Sequence, residues 1–458
     1  MPWPGATNNE NTFWKRVMAY YLKNYDFIQY QEDAMTQHQD TSILRVMHEV
    51  CCGLDVHKKL INACLITTDE NGQEHSELKV FQTFTDDLYR LRDWLLDHNC
   101  PIVAMESTGI YWRPVHNILE GLFEIILVNA RHFKNLPGKK TDMSDSHWIC
   151  GLLRVGLLKG SFIPQKHVRQ WRDLTRYRRS KIEDLGDAKR QVHKLFESAN
   201  IKIDSVASQI FTRTGRNLME RLLKNDQELA LEDVIECLRG KLKSKGKELY
   251  RAIQGFFEDH HRWLLEKMLS NVDHLEHLIN DIQVRLRSLL EPYEDAIERL
   301  NEIPGIDFIS AYAIISETGP TLSTFPNTAS LCSWAGVCPG NNESAGKRHS
   351  GRSPVRKGNL KSILIEVAWA AVRTKKSYFR AKFFSLRSRL GPKKAIVAVA
   401  HRILKAIYHV IKHGAKFKDL GEDYLSNLHK RSKLNYLIRQ AGKFGFTLTP
   451  SGVAEKSF

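Results

Sequence analysis

No stretch of this chain comes near the roughly 18 consecutive uncharged apolar residues that a membrane span needs, and the opening "MPWPGATNNENTFWKRV" lacks the apolar centre of a signal peptide. A cytoplasmic protein with no membrane partner is expected. No two of the eight cysteines (Cys51, Cys52, Cys64, Cys100, Cys150, Cys237, Cys332 and Cys338) stand in C-x-x-C spacing. Most sit in apolar runs, so they read as buried thiols rather than zinc ligands or a disulfide framework. Neither a Gly-x-Gly turn nor the phosphate loop G-x-x-x-x-G-K-[ST] occurs, which argues against an ATP-driven mechanism.

Acidic residues are also scarce in one place. From 345 to 417 there are 19 Lys or Arg and a single acid, Glu366, a local excess larger than the net +16 of the whole 458-residue chain. Residues 131 to 200 add 16 Lys or Arg against 7 acids. Solvated protein faces usually mix both signs, so fields this one-sided point to a polyanion, most simply nucleic acid.

The length implies two or three domains. Residues 1 to 46 are polar and irregular and read as an N-terminal extension, with Met47 opening the first strong pattern. From there "VCCGLDV", "LINACLITTD", "ELKVFQTF", "PIVAMES" and "EIILVN" read as strands. "DDLYRLRDWLLDHN", "WRPVHNILEGL" and "DMSDSHWICGLLRVGLL" read as helices, the last with Asp142 at its cap or first turn and Trp148, Leu152 and Val155 on its apolar stripe. This is a mixed sheet with helices packed on it, over 47–160.

Residues 161–300 are expected to be helical and basic. In them Leu265, Met268, Val272, Leu275, Ile279, Ile282, Leu286 and Leu289 form a heptad seam, which fits either a self-associating coiled coil or an intramolecular helical hairpin. "NEIPGIDFISAYAIISETG" reads as two helices about an Ile-Pro-Gly turn, either a phosphate-holding helix-hairpin-helix or a plain tight turn. A Gly/Ser/Lys/Arg loop, "CPGNNESAGKRHSGRSPVRKGN", and two apolar helices complete a domain over 301–415. Residues 416–458 read as a basic tail. His409 and His413, four apart on the last apolar helix, read as packing or surface residues.

Four acids occupy special positions. Asp55 ends the first strand, Glu106 ends the strand "VAMES", and Asp142 and Asp145 lie three apart on one expected helix face. Clustered carboxylates repel, and Mg²⁺, a hard ion suited to oxygen ligands, relieves that conflict. Two such ions stabilise both the attacking and the leaving oxygens of phosphodiester cleavage. Lys139 and Lys140 nearby, and Lys347, Arg348, Arg352, Arg356 and Lys357 in the later loop, are the candidate nucleic-acid contacts.

"GLDVHKK", "AMESTGIYW" and "KTDMSDSHW" resemble the Asp, Glu and Asp-x-x-Asp motifs of the insertion-sequence-110 transposases, relatives of the Piv-like invertases. "WAGVCPGNNESAGKRHSG…KGN" resembles the serine-bearing second domain of that family, in its 1111-type subgroup. The resemblance runs from about 48 to 413. It implies an α/β RNase-H-like (RuvC-like) domain whose Asp55, Glu106, Asp142 and Asp145 bind Mg²⁺, a helical coiled-coil linker, and a helical domain with a serine nucleophile. It further implies donor and target DNA as substrates, a structured bridge RNA as guide, a tetrameric synapse, into which the homodimer suggested by the heptad seam would assemble, and action at the bacterial nucleoid.

By position after "PGNNE", Ser344 matches the nucleophile, with Ser350 as second choice and Ser353 in the same loop. Lys347 and Arg348 would neutralise charge at the phosphate. Serine attack yields a serine-linked DNA end that a second strand's hydroxyl displaces. The competing readings are a RuvC-like, Mg²⁺-dependent junction resolvase or nuclease without a serine intermediate, and a non-catalytic nucleic-acid-binding protein.

Overall fold

The computed structural model describes residues 46–106, 109–129, 145–207, 209–224, 229–340, 342–344, 347–350 and 358–446. The chain divides into two compact units at the 163/164 boundary. Among the described residues no helix is long and apolar enough to cross a membrane.

The first unit is built on five strands, β1 (Cys51–Val56), β2 (Leu60–Thr68), β3 (Glu74–Gln82), β4 (Ile102–Glu106) and β5 (Glu124–Val128), in the order β3-β2-β1-β4-β5. β3, β2 and β1 form an antiparallel meander, whereas β4 and β5 run parallel to β1. The parallel pairs need crossovers, and α1 (Thr85–Asp97) and α2 (Trp112–Leu119) supply them. Side chains alternate along each strand, so parity decides what each residue meets. Cys52, Leu54, Val103 and Met105 join Leu91, Leu95, Val115 and Leu119 of these helices in one core. Their neighbours Cys51, Cys64, Ile102 and Ala104 face the other way, onto Trp148, Ile149 and Leu152 of α3 (Asp145–Arg154). This mixed sheet with surrounding helices is consistent with an RNase-H-like domain.

α3 is shorter than the pattern through Leu158 predicts. Gly156 takes φ +69°, its amide bonds to Leu153 O at 2.9 Å, and the Leu157 amide bonds to Leu152 O at 3.0 Å. These two bonds are a Schellman stop, with Leu157 folded back onto the α3 core. Val155 thus lies past the helix.

The second unit is dominated by helices. α4 (Lys166–Ser198) is followed by the short helices α5 (Ile203–Val206), α6 (Arg213–Lys224), α7 (Leu231–Cys237) and α8 (Gly246–Ala252), and then by α9 (Asp259–Leu290). α4 and α9 pack antiparallel along their length. Leu195 and Phe196 share a core with Leu265 and Leu269, Ala188 meets Val272 and Leu275, Arg178 donates to Gln283 at 3.0 Å, and Trp171 stacks edge-on to Tyr293. The heptad seam is therefore covered by α4 of the same chain, as an intramolecular hairpin. Its buried positions are Leu265, Leu269, Val272, Leu275, Ile279, Ile282, Leu286 and Leu290, so Leu269 and Leu290 replace Met268 and Leu289 in the inner row.

α10 (Glu294–Asn301) and α11 (Phe308–Thr318) flank the Ile-Pro-Gly turn, followed by α12 (Thr328–Trp334). The turn is a packing element. Gly305, at φ +88°, lies so close to α13 (Asn359–Arg373) that a Cβ there would stand 2.4 Å from Val367 O. Only glycine permits that approach. α11 is anchored to α4 by a buried carboxylate: Arg176 grips Glu317 with Nε and Nη2 at 2.8 and 2.9 Å, and Arg172 Nε donates to Ser316 O at 3.0 Å. α14 (Tyr378–Leu390), α15 (Pro392–His413) and α16 (Tyr424–Lys443) complete the unit, and no residue of α16 is buried. The segment read as basic tail thus contains a 20-residue helix.

The cysteines are free thiols, seven of them buried and Cys338 half-buried. Burial pushes the Cys100 thiol up to about 12, which makes it an inert packing group.

Candidate active site

β1 and β4 are registered in parallel through Leu54↔Met105, and the next residue on each strand is acidic. Asp55 and Glu106 therefore stand side by side at the carboxyl ends of adjacent strands. By parity both belong to the face covered by α3. They are only 8% and 6% exposed.

α3 runs antiparallel to β1. Its last carbonyl, Arg154 O, accepts the amides of Met47 and His48 at 2.9 and 3.1 Å, just ahead of β1. Its first turn lies over Gly53, where a Cβ would stand 2.3 Å from Ser146 O and 2.5 Å from Cys150 N. Gly53 lets the helix backbone settle directly on the strand. Asp145 opens the helix one residue before Ser146, so the topology carries it to the same sheet end as Asp55 and Glu106.

Two of the four expected acids are thus adjacent, and a third lies at the same end of the sheet. Asp142 lies outside the described residues, as do Lys139 and Lys140. Among the described residues no three His, Cys, Asp or Glu side chains stand close enough together to hold a metal ion. The donors nevertheless fit a hard divalent cation. They are all carboxylate oxygens, the donor type such an ion prefers, and two of them are nearly buried on one face.

Two neighbours went unnoticed in the sequence. His57 Nε2 lies 2.9 Å from Asp55 Oδ2, the geometry of an N–H donating to a carboxylate, with the His57 side chain 56% exposed. Asn62 is registered directly opposite Asp55 on β2. The histidine was signalled by "DVH", since residues two apart in extended chain share a face. Asn62 had no such signal, because its place depends on strand register.

The serine segment is a hairpin, where the sequence reads as loop. β6 (Asn342–Ser344) and β7 (Lys347–Ser350) pair antiparallel, with Ser344↔Lys347 and Glu343↔Arg348 opposed and Asn342↔Ser350 at the base beyond a bulge. Ser344 is the last strand residue before the two-residue connection. Ser353, Arg352, Arg356 and Lys357 lie outside the described residues.

Residues 52–201 match the family model of the DEDD-type IS110 transposases, and residues 297–383 match the model described as transposases of the IS116/IS110/IS902 family. The chain carries the domains of an IS110-family transposase. Together the two matches span a little over half of it. No curated protein matches. The protein is therefore a DNA transposase or recombinase, an enzyme with DNA as substrate. In this transposase the first match contains Asp55, Glu106, Asp142 and Asp145, and the second contains Ser344 and the hairpin. A domain of the DEDD type implies dependence on a divalent metal.

Proposed function

We propose that this transposase exchanges DNA strands at the ends of an insertion sequence through a serine-linked intermediate. The observation that supports the reading is Asp55 beside Glu106 at the carboxyl ends of adjacent strands, with Asp145 opening α3 at the same sheet end, in a chain whose second family match spans a serine at a hairpin tip.

Ser344 Oγ attacks the scissile phosphorus. A bond from Oγ to phosphorus forms, the bond from phosphorus to a deoxyribose oxygen breaks, the serine gives up its proton, and the departing sugar hydroxyl takes one up. The hydroxyl of a second strand then attacks the same phosphorus, and Oγ leaves and regains its proton. One phosphodiester is lost and one is made, so the exchange needs no nucleotide hydrolysis.

Asp55, Glu106, Asp142 and Asp145 would hold Mg²⁺, which when bound supplies a Lewis acid that stabilises charge on the oxygens around the phosphorus. His57 orients the Asp55 carboxylate. Lys139, Lys140, Lys347, Arg348, Arg352, Arg356 and Lys357 bind and neutralise the backbone, because protonated lysine and arginine stabilise phosphate charge but make poor bases.

Three further features rest on the family resemblance alone: membership of the 1111-type subgroup, guidance by a bridge RNA, and a tetrameric synapse in the bacterial cytoplasm. The α4–α9 seam is used within the chain, so a dimer would need another surface. A nuclease that uses water is the alternative, and the serine-bearing second match disfavours it.

The test is Ser344→Ala in full-length protein with Mg²⁺, donor and target DNA and the flanking non-coding RNA. Recombination is expected to vanish while DNA binding is kept. A variant that still recombines would move the nucleophile elsewhere, first to Ser350.

A further inference from the structure

The helices α14 and α15 pack against each other and contain no Asp or Glu, yet they present Arg380, Lys382, Arg387 and Arg389 on one helix and Lys393, Lys394, Arg402 and Lys405 on the other. The nearest acids in sequence are already engaged. Glu366 accepts from Arg179 at 2.6 Å, and Asp419 accepts the amides of Tyr378 and Gly421 at 2.8 Å each. Among the described residues, Lys382, Arg389, Arg402 and Lys405 make no ion pair with a carboxylate.

The cations also lie near enough to act on one another. Burial holds Lys382 below the ordinary lysine value, and Arg402 and Arg389 lower it further. Burial likewise lowers His401, followed by Arg402 and Lys405. Like charges gathered at a helix–helix rim without counter-charge destabilise the unit, and they persist where a polyanion offsets them.

The buried face of α15 is Ile396, Val399, Ile403, Leu404 and Ile407, which leaves Arg402 exposed and His401 and Lys405 on the rim. Lys394 to Lys405 spans about 16 Å of straight helix at ~1.5 Å per residue. A DNA duplex carries about nine phosphate charges over that length, at one per ~1.7 Å. α12 and α13, from which the serine hairpin emerges, pack on this same α15. Arg389, His401, Arg402 and Lys405 all lie beyond residue 383, outside both family matches.

We propose that the α14–α15 rim, formed by Lys382, Arg389, His401, Arg402 and Lys405, is a binding site for the phosphodiester backbone of duplex DNA and is indifferent to base sequence. It holds the duplex by the helical bundle that bears the serine hairpin. The proposal rests on DNA being the substrate but not on the chemistry assigned to Ser344 or the carboxylates.

The test uses the full chain in EDTA, so that no metal-dependent cleavage intrudes, and a fluorescent 30-base-pair duplex of arbitrary sequence. Affinity is read by anisotropy between 50 and 200 mM salt. Arg389→Gln combined with Arg402→Gln should reduce the magnitude of the log–log salt slope by about 1.8, at ~0.9 per lost phosphate contact. Raising the salt over that range then costs the variant about 12-fold less affinity than it costs the unaltered protein. The change should be the same for duplexes of unrelated sequence.

An unchanged slope overturns the site. A slope that changes for a single-stranded RNA of equal length but not for duplex DNA also overturns it, in favour of an RNA surface. If the double variant melts early, Arg402→Gln alone should give half the slope change, and no change there is equally decisive. Loss of the serine chemistry would leave all these binding results as they are.

Discussion

The carboxylates and the serine are held by backbones of opposite character. Asp55 and Glu106 extend from strands buried on both faces, whose every position from Cys51 to Val56 and from Ile102 to Glu106 is buried. Ser344 sits on a hairpin of three and four residues, Asn-Glu-Ser against Lys-Arg-His-Ser, with no apolar side chain in either strand. A two-stranded ribbon without a hydrophobic face is marginal in water. The acids are thus fixed before substrate arrives, whereas the serine is expected to gain its order from the nucleic acid around it. A metal site needs ligands set in advance. A nucleophile that must attack and then leave tolerates a more compliant mount.

The largest expected effect comes from Gly53→Ala, which strikes the rigid half. The new methyl meets backbone atoms of α3 at 2.3 and 2.5 Å, and backbone cannot rotate away. We expect loss of all metal-dependent activity and about 3 kcal/mol of stability, the upper part of the usual overpacking range, read by activity assay and chemical denaturation. A variant with normal activity would show that α3 need not rest on β1.

Asp145→Ala removes the proposed metal donor at the start of α3 while leaving the Gly53 contact in place. Mg²⁺-dependent strand cleavage should vanish and the melting temperature should hold. Wild-type rates across a Mg²⁺ titration would remove Asp145 from the metal site. His57→Ala is milder, because His57 acts through Asp55. A partner that orients a ligand is typically worth about 10–100-fold in metal affinity or activity, so the Mg²⁺ concentration for half-maximal activity should rise by that order. The smallest perturbation is none at all. Amide hydrogen exchange should find β6–β7 exchanging far faster than β1 and β4 in the free protein and slowing when DNA binds. Equal protection of the two regions would erase the contrast.

Much of the first unit was legible because its strands are apolar runs and its helices keep a 3.6-residue period. The four acids stood out for their positions at strand and helix ends. That Asp55 and Glu106 stand side by side is fixed by the register Leu54↔Met105, and that Asp145 lies at the same sheet end by the direction of α3, both non-local and so not legible residue by residue. The end of α3 was misread because Val155, Leu157 and Leu158 continue the apolar stripe past Gly156, where the backbone turns left-handed. The hairpin was invisible for the opposite reason: an all-polar strand has no hydrophobic alternation to detect. The heptad seam is legible in six of its eight positions, but nothing local in α9 says that its partner is α4, more than sixty residues earlier, rather than a second copy of itself.

The most direct measurement is to trap the reaction of unaltered protein with Mg²⁺, guide RNA and matching DNA, digest it, and map any nucleotide-bearing peptide by mass spectrometry. A nucleotide on Ser344, absent when Asp145 is replaced by alanine, is the result expected. Nicked DNA with no modified serine would contradict the serine-linked mechanism and leave a metal-dependent nuclease in its place.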